Sequence, residues 1–375
     1  MKIKRILIAS LAAANVLSVG TGLILTAAGS SLAKSQGTNY AAQRWDSEGG
    51  YTQLSCFFTD DSGFNTESVP YVKQTLEEKL RNAGVIAEEG QKLIPDAYSV
   101  NAGQMSIKCD RTGRSEAMVT AVGGDFFLFR DFKLLDGSFF SKNDLMQDGA
   151  VIDRNLAWEL YGSEDIAGMN IYINGVKFYI SGVIDTPSTK QEKKTAGDFS
   201  RAYISYDGLK LINGGMYDEG SSSLNNITCY ECIVPDPVEN FAYNALNEYF
   251  GGGYSYSSVL VNNTERFNPA ELAKKHKNLS DYAISDKPVV YPYWENASRI
   301  TEFRLSGIYY FRRLTYIIPI LTLLLLIVLG WRAGGRLRQK ITSKITDGVT
   351  KVLYRRSILK EQKKEQKEQQ KKTEQ

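Results

Sequence analysis

The sequence predicts an α+β membrane protein, in which two apolar helices bracket one large mixed domain. Three observations carry this reading. Ile6 to Ala33 is a run of 28 residues without a charge, and Leu314 to Trp331 is a second such run of 18. Between them, segments of strand period alternate with segments of helix period, punctuated by turn residues, as in an α+β layer. A chain of 375 residues with 43% hydrophobic and 23% charged residues is long enough for two or three domains and is neither fibrous nor wholly disordered.

The first run exceeds the roughly 20 residues that cross a bilayer as a helix, and residues 6–28 are assigned as a span. Lys2, Lys4 and Arg5 before it, and Ser31-Leu32-Ala33 after it, also fit a cleaved secretory signal. Its length, about twice a usual signal core, favours a retained anchor. Ser10, Ala14, Ser18, Gly22 and Thr26 recur every four residues and form one small-residue stripe on a helix, the pattern that lets two helices approach closely. The second run, residues 314–331, covers roughly 27 Å and is assigned as a span. Pro319 is expected to kink it. Tyr309, Tyr310, Phe311 and Tyr316 at one end, and Trp331 at the other, suit interfacial anchors.

Charge sets the expected topology. Residues 1–5 hold three Lys/Arg, and residues 332–375 hold fourteen against five Asp/Glu, which leaves 28 basic and 37 acidic residues between them. Basic flanks stay on the cytoplasmic side. Both termini are therefore expected in the cytoplasm of a bacterial cell, with residues 1–5 and the basic tail 332–375 inside and residues 34–312 outside the cytoplasmic membrane. A nucleic-acid binder would be basic where this chain is acidic, so nucleic acid is excluded as a partner. A single histidine, His276, argues against His-pair catalysis or a His-rich metal centre.

Cys56, Cys109, Cys229 and Cys232 all fall in the outside segment, where disulfides persist, and are read as structural disulfides or buried thiols. Cys229 and Cys232 form a CxxC, but Ile227 to Val234 has strand character, whereas redox CxxC sites use a helix start to lower the thiol pKa. No metal site and no cofactor are expected.

Element by element, Tyr51–Phe58 reads as a strand and Asp60-Asp61-Ser62-Gly63 as a turn. A helix follows from Asn65 or Thr66, with Val72, Leu76 and Leu80 on one face. Tyr98–Cys109 and Met118–Val122 are extended around a turn at Thr112-Gly113. Ala150-Val151-Ile152 is a strand, Asn155–Tyr161 a short helix, and Asn170–Ile184 a hairpin about Asn174-Gly175, both of whose turn residues need positive φ. Residues 186–200 and 214–225 read as loops, Ala202–Ser205 and Ile227–Val234 as strands, and Asn240–Phe250 as a helix. Ile300, Phe303, Gly307, Phe311 and Leu314 keep helical spacing, so one continuous helix is expected to run into the second span. In the tail, Ile341, Ile345, Val349, Val352 and Leu353 form an apolar stripe among Lys340, Lys344, Lys351, Arg355 and Arg356, suited to lying on anionic lipid or docking on an ATPase. Beyond Lys360 the Lys/Glu/Gln run is of low complexity and is expected to be frayed or disordered.

The runs VGGDFFLFRDFKLLDGSFF (122–140) and DGAVIDRNLAWELYGSEDIAGMNIYINGVKFYISGVID (148–185) resemble the MacB-like periplasmic core domain of FtsX-type ABC transporter permeases. The matching positions are Gly123, Phe126, Leu134, Gly137, Phe139, Val151, Ile152, Ala157, Leu160, Gly162, Gly168, Ile171, Ile173, Gly175, Phe178, Ile180, Gly182 and Val183. Ser138 stands where the family has a basic residue. The resemblance implies a porter-like layer over residues 46–145 and 196–290, a smaller β-rich insertion over 146–186, and the span, core, span order of the first half of such a permease. Full members carry two further spans, and no GxxxxGK[ST] loop is present, so any ATPase is expected to be a separate chain.

The function expected from this is a non-catalytic membrane subunit of a MacB/FtsX-type system. It would transmit motion between a cytoplasmic ABC ATPase and the extracytoplasmic domain, for export of peptide, antibiotic or lipid-like substrates. Its partners would be that ATPase, a second permease subunit or a homodimer mate, and membrane lipid. The alternative is a standalone membrane-anchored adaptor or sensor using the same fold. An enzyme is disfavoured: no GxSxG or HExxH occurs, Ser31-Leu32-Ala33-Lys34 matches SxxK only literally, and Asp60 and Asp61 sit beside a turn.

Overall fold

The computed structural model describes residues 2–86, 92–141, 143–187, 189–214, 226–275 and 288–373. The chain forms two compact units, residues 1–24 with 312–375, and residues 25–311.

Ten strands among the described residues make one mixed sheet in the larger unit. They are β1 (Tyr51–Phe58), β2 (Asp96–Cys109), β3 (Arg114–Gly124), β4 (Leu134–Gly137), β5 (Gly149–Asp153), β6 (Asn170–Ile173), β7 (Val176–Ile184), β8 (Ser200–Ser205), β9 (Cys229–Pro235) and β10 (Ser258–Asn262). The order is β10-β1-β9-β2-β3-β8-β5-β7-β4, with β6 pairing both β2 and β7. The strands of residues 146–186 thus pair directly with the rest, β5 with β8 and β6 with β2. At the β6–β7 turn Asn174 and Gly175 both take positive φ, 47° and 89°, the twist a two-residue hairpin needs.

Period-2 alternation assigns each strand residue to a face. Leu54, Cys56 and Phe58 of β1, Cys232 and Val234 of β9, and Ile152 of β5 enter the main core. Helices α3 (Ser68–Asn82), α4 (Arg154–Tyr161), α6 (Tyr206–Ile212) and α7 (Phe241–Gly253) supply the other half of that core, with Val72, Leu76, Leu156, Leu209 and Leu246. The in-between residues Val151, Tyr203 and Ile233 point the other way. There they meet helix α2 (Ala41–Trp45), the 3-10 turn Phe126–Phe129 and Trp294 of helix α9 (Tyr293–Thr315).

Three local expectations are corrected. Lys190–Ala196, within a stretch read as a loop, is helix α5; Thr189 and Glu192 close a reciprocal capping box that starts it. The helix expected to run unbroken from the core into the second apolar run ends at Thr315, and a new one, α10, spans Ile317–Thr373. Gly307 lies inside α9 without a break. Pro319 sits in the first turn of α10, three residues after the one-residue break at Tyr316. The run beyond Lys360, expected to be frayed or disordered, is helical as far as Thr373. The remaining helices are α1 (Lys2–Lys34) and α8 (Pro269–Lys275). Residues 215–225, read as a loop, and His276 lie outside the described residues.

Candidate functional site

The most unusual feature of residues 25–311 is a run of buried charge where α9 meets the second face of the sheet. Alternation along β1 and β9 puts Gln53, Ser55 and Glu231 on that face, against the rule for an apolar interior. The extended residue after the Phe126–Phe129 turn is Arg130, whose guanidinium pairs with Glu231. It also lies 4.1 Å from the Trp294 ring centre and 4.7 Å from that of Phe126. Its Nε and Nη1 have no acceptor among the described residues, so the two aromatic rings are the guanidinium's remaining close neighbours of favourable charge. Burial lowers the Arg130 pKa to about 10, with the nearby Cys229 opposing, so the group stays cationic at neutral pH.

The network continues without interruption. Ser55 donates to Glu231 at 3.2 Å, and the Asn263 amide donates to Ser55 at 2.7 Å. Arg266 then donates to Asn263 at 3.2 Å, to both oxygens of Glu295 at 2.7 Å each, and through Nε to Glu302 at 3.1 Å. Glu295 and Glu302 are two turns apart on α9 and so share a face. Burial pulls the Arg266 pKa down, but the attraction of Glu295 and then Glu302 more than offsets it, and the net direction is upward. A second set of neutral bonds runs alongside. Asn39 donates to Ser298 of α9 at 2.7 Å, and Gln53 bonds Thr38 and Ala41, each at 2.8 Å. Such a network fixes α9 against β1 and β9 at one register, because shifting it strands several buried charges at once.

Next to the start of α9, a cleft of about 300 Å³ is lined in part by Asp131, Asp153, Arg201, Tyr203 and Tyr293. The two tyrosine hydroxyls bond at 2.9 Å, and Arg201 lies 4.1 Å over the Tyr293 ring. Burial raises the Asp153 carboxyl to about 6, although it caps α4 by accepting from the Leu156 amide at 2.9 Å. Among the described residues no group of three or more His, Cys, Asp or Glu is arranged to hold a metal ion.

Cys56, Cys109, Cys229 and Cys232 are buried thiols, none of them in a disulfide. Cys229 and Cys232 are three apart on β9, so they face opposite sides of the sheet, and a bridge between them would require the strand to unfold. Burial pushes the Cys229 thiol up to about 12 and raises Cys232 as well, the reverse of a redox CxxC. Ser31, Asp60 and Asp61 are exposed.

In the smaller unit, Ser18 and Gly22 of α1 are buried against the junction of α9 and α10. Ser18 donates to the Thr315 carbonyl, and a Cβ at Gly22 would meet the Thr315 hydroxyl at 2.9 Å. Ala14 is half-buried and Ser10 exposed, and Thr26, in the larger unit, is half-buried. Asn15, which the small-residue pattern does not include, donates to the Thr322 hydroxyl at 3.0 Å. Ile341, Ile345, Val349, Val352 and Leu353 are exposed on α10.

Arg130, Glu231, Arg266, Glu295 and Glu302 escape a reading by motif, because they lie far apart in sequence and belong to no catalytic pattern. The available signs were a lone Glu inside the apolar strand Cys229–Pro235 and the seven-residue spacing of Glu295 and Glu302.

The chain is similar to known proteins over part of its length. Two curated relatives are both named macrolide export ATP-binding/permease protein MacB. The one from Pasteurella multocida is 26% identical over 137 residues, 36% of this chain and 20% of the relative. That from Haemophilus ducreyi is 32% identical over 84 residues, 22% of this chain and 12% of the relative. The chain thus matches about a fifth or less of the length of either. Among solved structures, the periplasmic region of MacB from Actinobacillus actinomycetemcomitans is similar with a TM-score of 0.38 and 14% identity, covering 61% of this chain and 92% of that one. The extracellular domain of the noncanonic ABC-type transporter YknZ from Gram-positive bacteria is similar with a TM-score of 0.37 and 15% identity, covering 56% of this chain and all of that one. Residues 6–229, well over half of the sequence, match the family described as the MacB-like periplasmic core domain, and the chain belongs to that family.

Proposed function

We propose that this chain is a non-catalytic membrane subunit of a MacB-type ABC transporter system. In this reading residues 34–312 stand outside the cytoplasmic membrane of a bacterium, and both termini are inside. Motion passes between them and an ATPase on a separate chain, beside a second permease subunit or a second copy. Peptides, antibiotics or lipid-like molecules are the cargo class.

The observation that carries the proposal is the way α9 is held. Buried ion pairs from Arg266 to Glu295 and Glu302 tie the helix that leads out of the core to the sheet edge it crosses. A helix so tied moves with the sheet, as a transmission element must. Two stretches, Arg5–Lys34 and Tyr293–Arg332, are long and apolar enough to cross a bilayer. They flank a core of the periplasmic family.

Crosslinking in cells, extraction in mild detergent and purification through this chain tests the reading. An ATP-binding subunit should co-purify, and ATP turnover by the complex should change when Glu295→Ala loosens α9. Recovery of the chain without any ATPase overturns it.

A further inference from the structure

The part of α10 beyond the apolar run carries three distinct strips. At 100° per residue, Ile341, Ile345, Val349, Val352 and Leu353 fall within about a third of the helix circumference. Each is more than half exposed. Thr342, Thr346 and Thr350 adjoin them. Their hydroxyls donate to the carbonyls of Arg338, Thr342 and Thr346 at 2.9, 2.8 and 2.7 Å. The polar atoms are thereby satisfied within the helix, and each threonine adds a methyl group to the apolar surface. On the other flank Lys340, Lys344, Lys351 and Arg355 line up, while Arg338 and Arg356, at the two ends of the segment, fall at the middle of the apolar arc and must carry their charge past it toward the headgroups. From Arg338 to Ile358 there are six basic residues and one acidic residue, Asp347.

An apolar strip alone names no partner, but a strip with one basic flank and satisfied hydroxyls on the other matches a surface that is apolar below and anionic above. The spacing from the span agrees. Gly334 and Gly335 follow Trp331 by three and four residues, about 5–6 Å along the axis, which is the depth of a headgroup layer. Nothing lies within 4 Å of a Cβ at either position. α10 is continuous through this pair, but two adjacent glycines lower its resistance to bending, at the level where a helix leaving a bilayer would turn to lie on its surface.

We infer that residues 338–358 form a surface-lying helix that docks on anionic lipid, turning at Gly334-Gly335. This stands apart from the transport proposal, since it requires only that the second apolar run be in a bilayer.

The full-length chain, carrying a spin label at Val349→Cys or at Ser343→Cys, is placed in nanodiscs of phosphatidylcholine alone or with phosphatidylglycerol. The native cysteines are buried, and the unlabelled parent serves as control. With phosphatidylglycerol, the label at 349 should become accessible to oxygen and shielded from a water-soluble relaxant, while that at 343 stays in water. Lys344→Glu, Lys351→Glu and Arg355→Glu together should lower the docked-to-free ratio by roughly a hundredfold or more. Gly334→Ala with Gly335→Ala, which stiffens the joint, should reduce docking without altering charge. A label at 349 that stays in water in both lipids overturns the inference. Shielding that appears only when an ATP-binding subunit is added overturns it too, in favour of a protein partner.

Discussion

The hydroxyl of Ser18 donates to the backbone carbonyl of Thr315. That carbonyl lies four residues before Pro319, which has no N–H with which to fill it. The stripe on α1 therefore contributes more than close approach: one of its members supplies the hydrogen bond that a proline removes from the neighbouring helix.

Ser18→Ala should accordingly lower resistance to unfolding by SDS in mixed micelles by about 1 kcal/mol, the usual size of a hydrogen bond between membrane helices. Asn15→Leu, which loses the bond to Thr322, should cost a similar amount. Gly22→Leu should cost more than either, because even a single Cβ there meets the Thr315 hydroxyl. An unchanged SDS midpoint in all three would show that this contact does not hold the helices together.

Removing one member of the buried ionic cluster should be far worse than replacing all of it. Arg266→Ala leaves Glu295 and Glu302 buried without their counter-ion, and the expected loss is about 3–5 kcal/mol. Changing Arg266, Glu295 and Glu302 together to apolar residues of similar volume should restore most of that stability. Urea unfolding followed by tryptophan fluorescence distinguishes the two outcomes.

Asp153 gives the core a dependence on pH of definite sign. Its carboxyl is raised to about 6 by burial, so its contribution is complete below the unfolded value near 4 and is lost as pH rises from about 4 to 6. Asp153→Asn keeps a side chain that can cap α4 and removes the charge. At pH 7 the variant should be more stable than the parent by on the order of 2 kcal/mol, and the gap should close as pH falls toward 4. Urea midpoints at pH 4, 5, 6 and 7 provide the measurement; a gap that does not change with pH would refute it.

The four thiols should be inert in the folded protein at pH 8 and react once it is denatured. Because burial raises Cys229 to about 12, stability should decline as pH climbs above the unfolded thiol value of about 8.5. Titration with a chromogenic disulfide reagent, with and without denaturant, checks the first point. Mapping of topology consequently requires introduced cysteines rather than the native ones.

Local order along the chain was legible wherever residues close in sequence carry the cause. The strand Tyr51–Phe58, the hairpin turn at Asn174-Gly175 and the helix ending at Tyr161 come from alternation, positive φ and periodic apolar residues. The short helix Lys190–Ala196 was written in its capping box, Thr189 and Glu192, but masked by a polar composition that resembles a loop. The strand Ser258–Asn262 has no strong pattern of its own and is extended because it pairs with β1.

What the amino-acid order alone determined is the plan: two apolar runs, a mixed α+β core of the MacB-like periplasmic family between them, and basic ends. Those are properties of composition and short-range periodicity, which act before any long-range contact forms. Only the tertiary structure decided that Arg130, Glu231, Arg266, Glu295 and Glu302 are joined through Ser55 and Asn263, that α9 stops at Thr315, and that the CxxC thiols face apart. A buried charge is tolerated only where its partner is delivered from a distant part of the chain, and the distance between Arg130 and Glu231, or between Arg266 and Glu302, is closed by strand pairing and helix docking rather than by anything local to either residue.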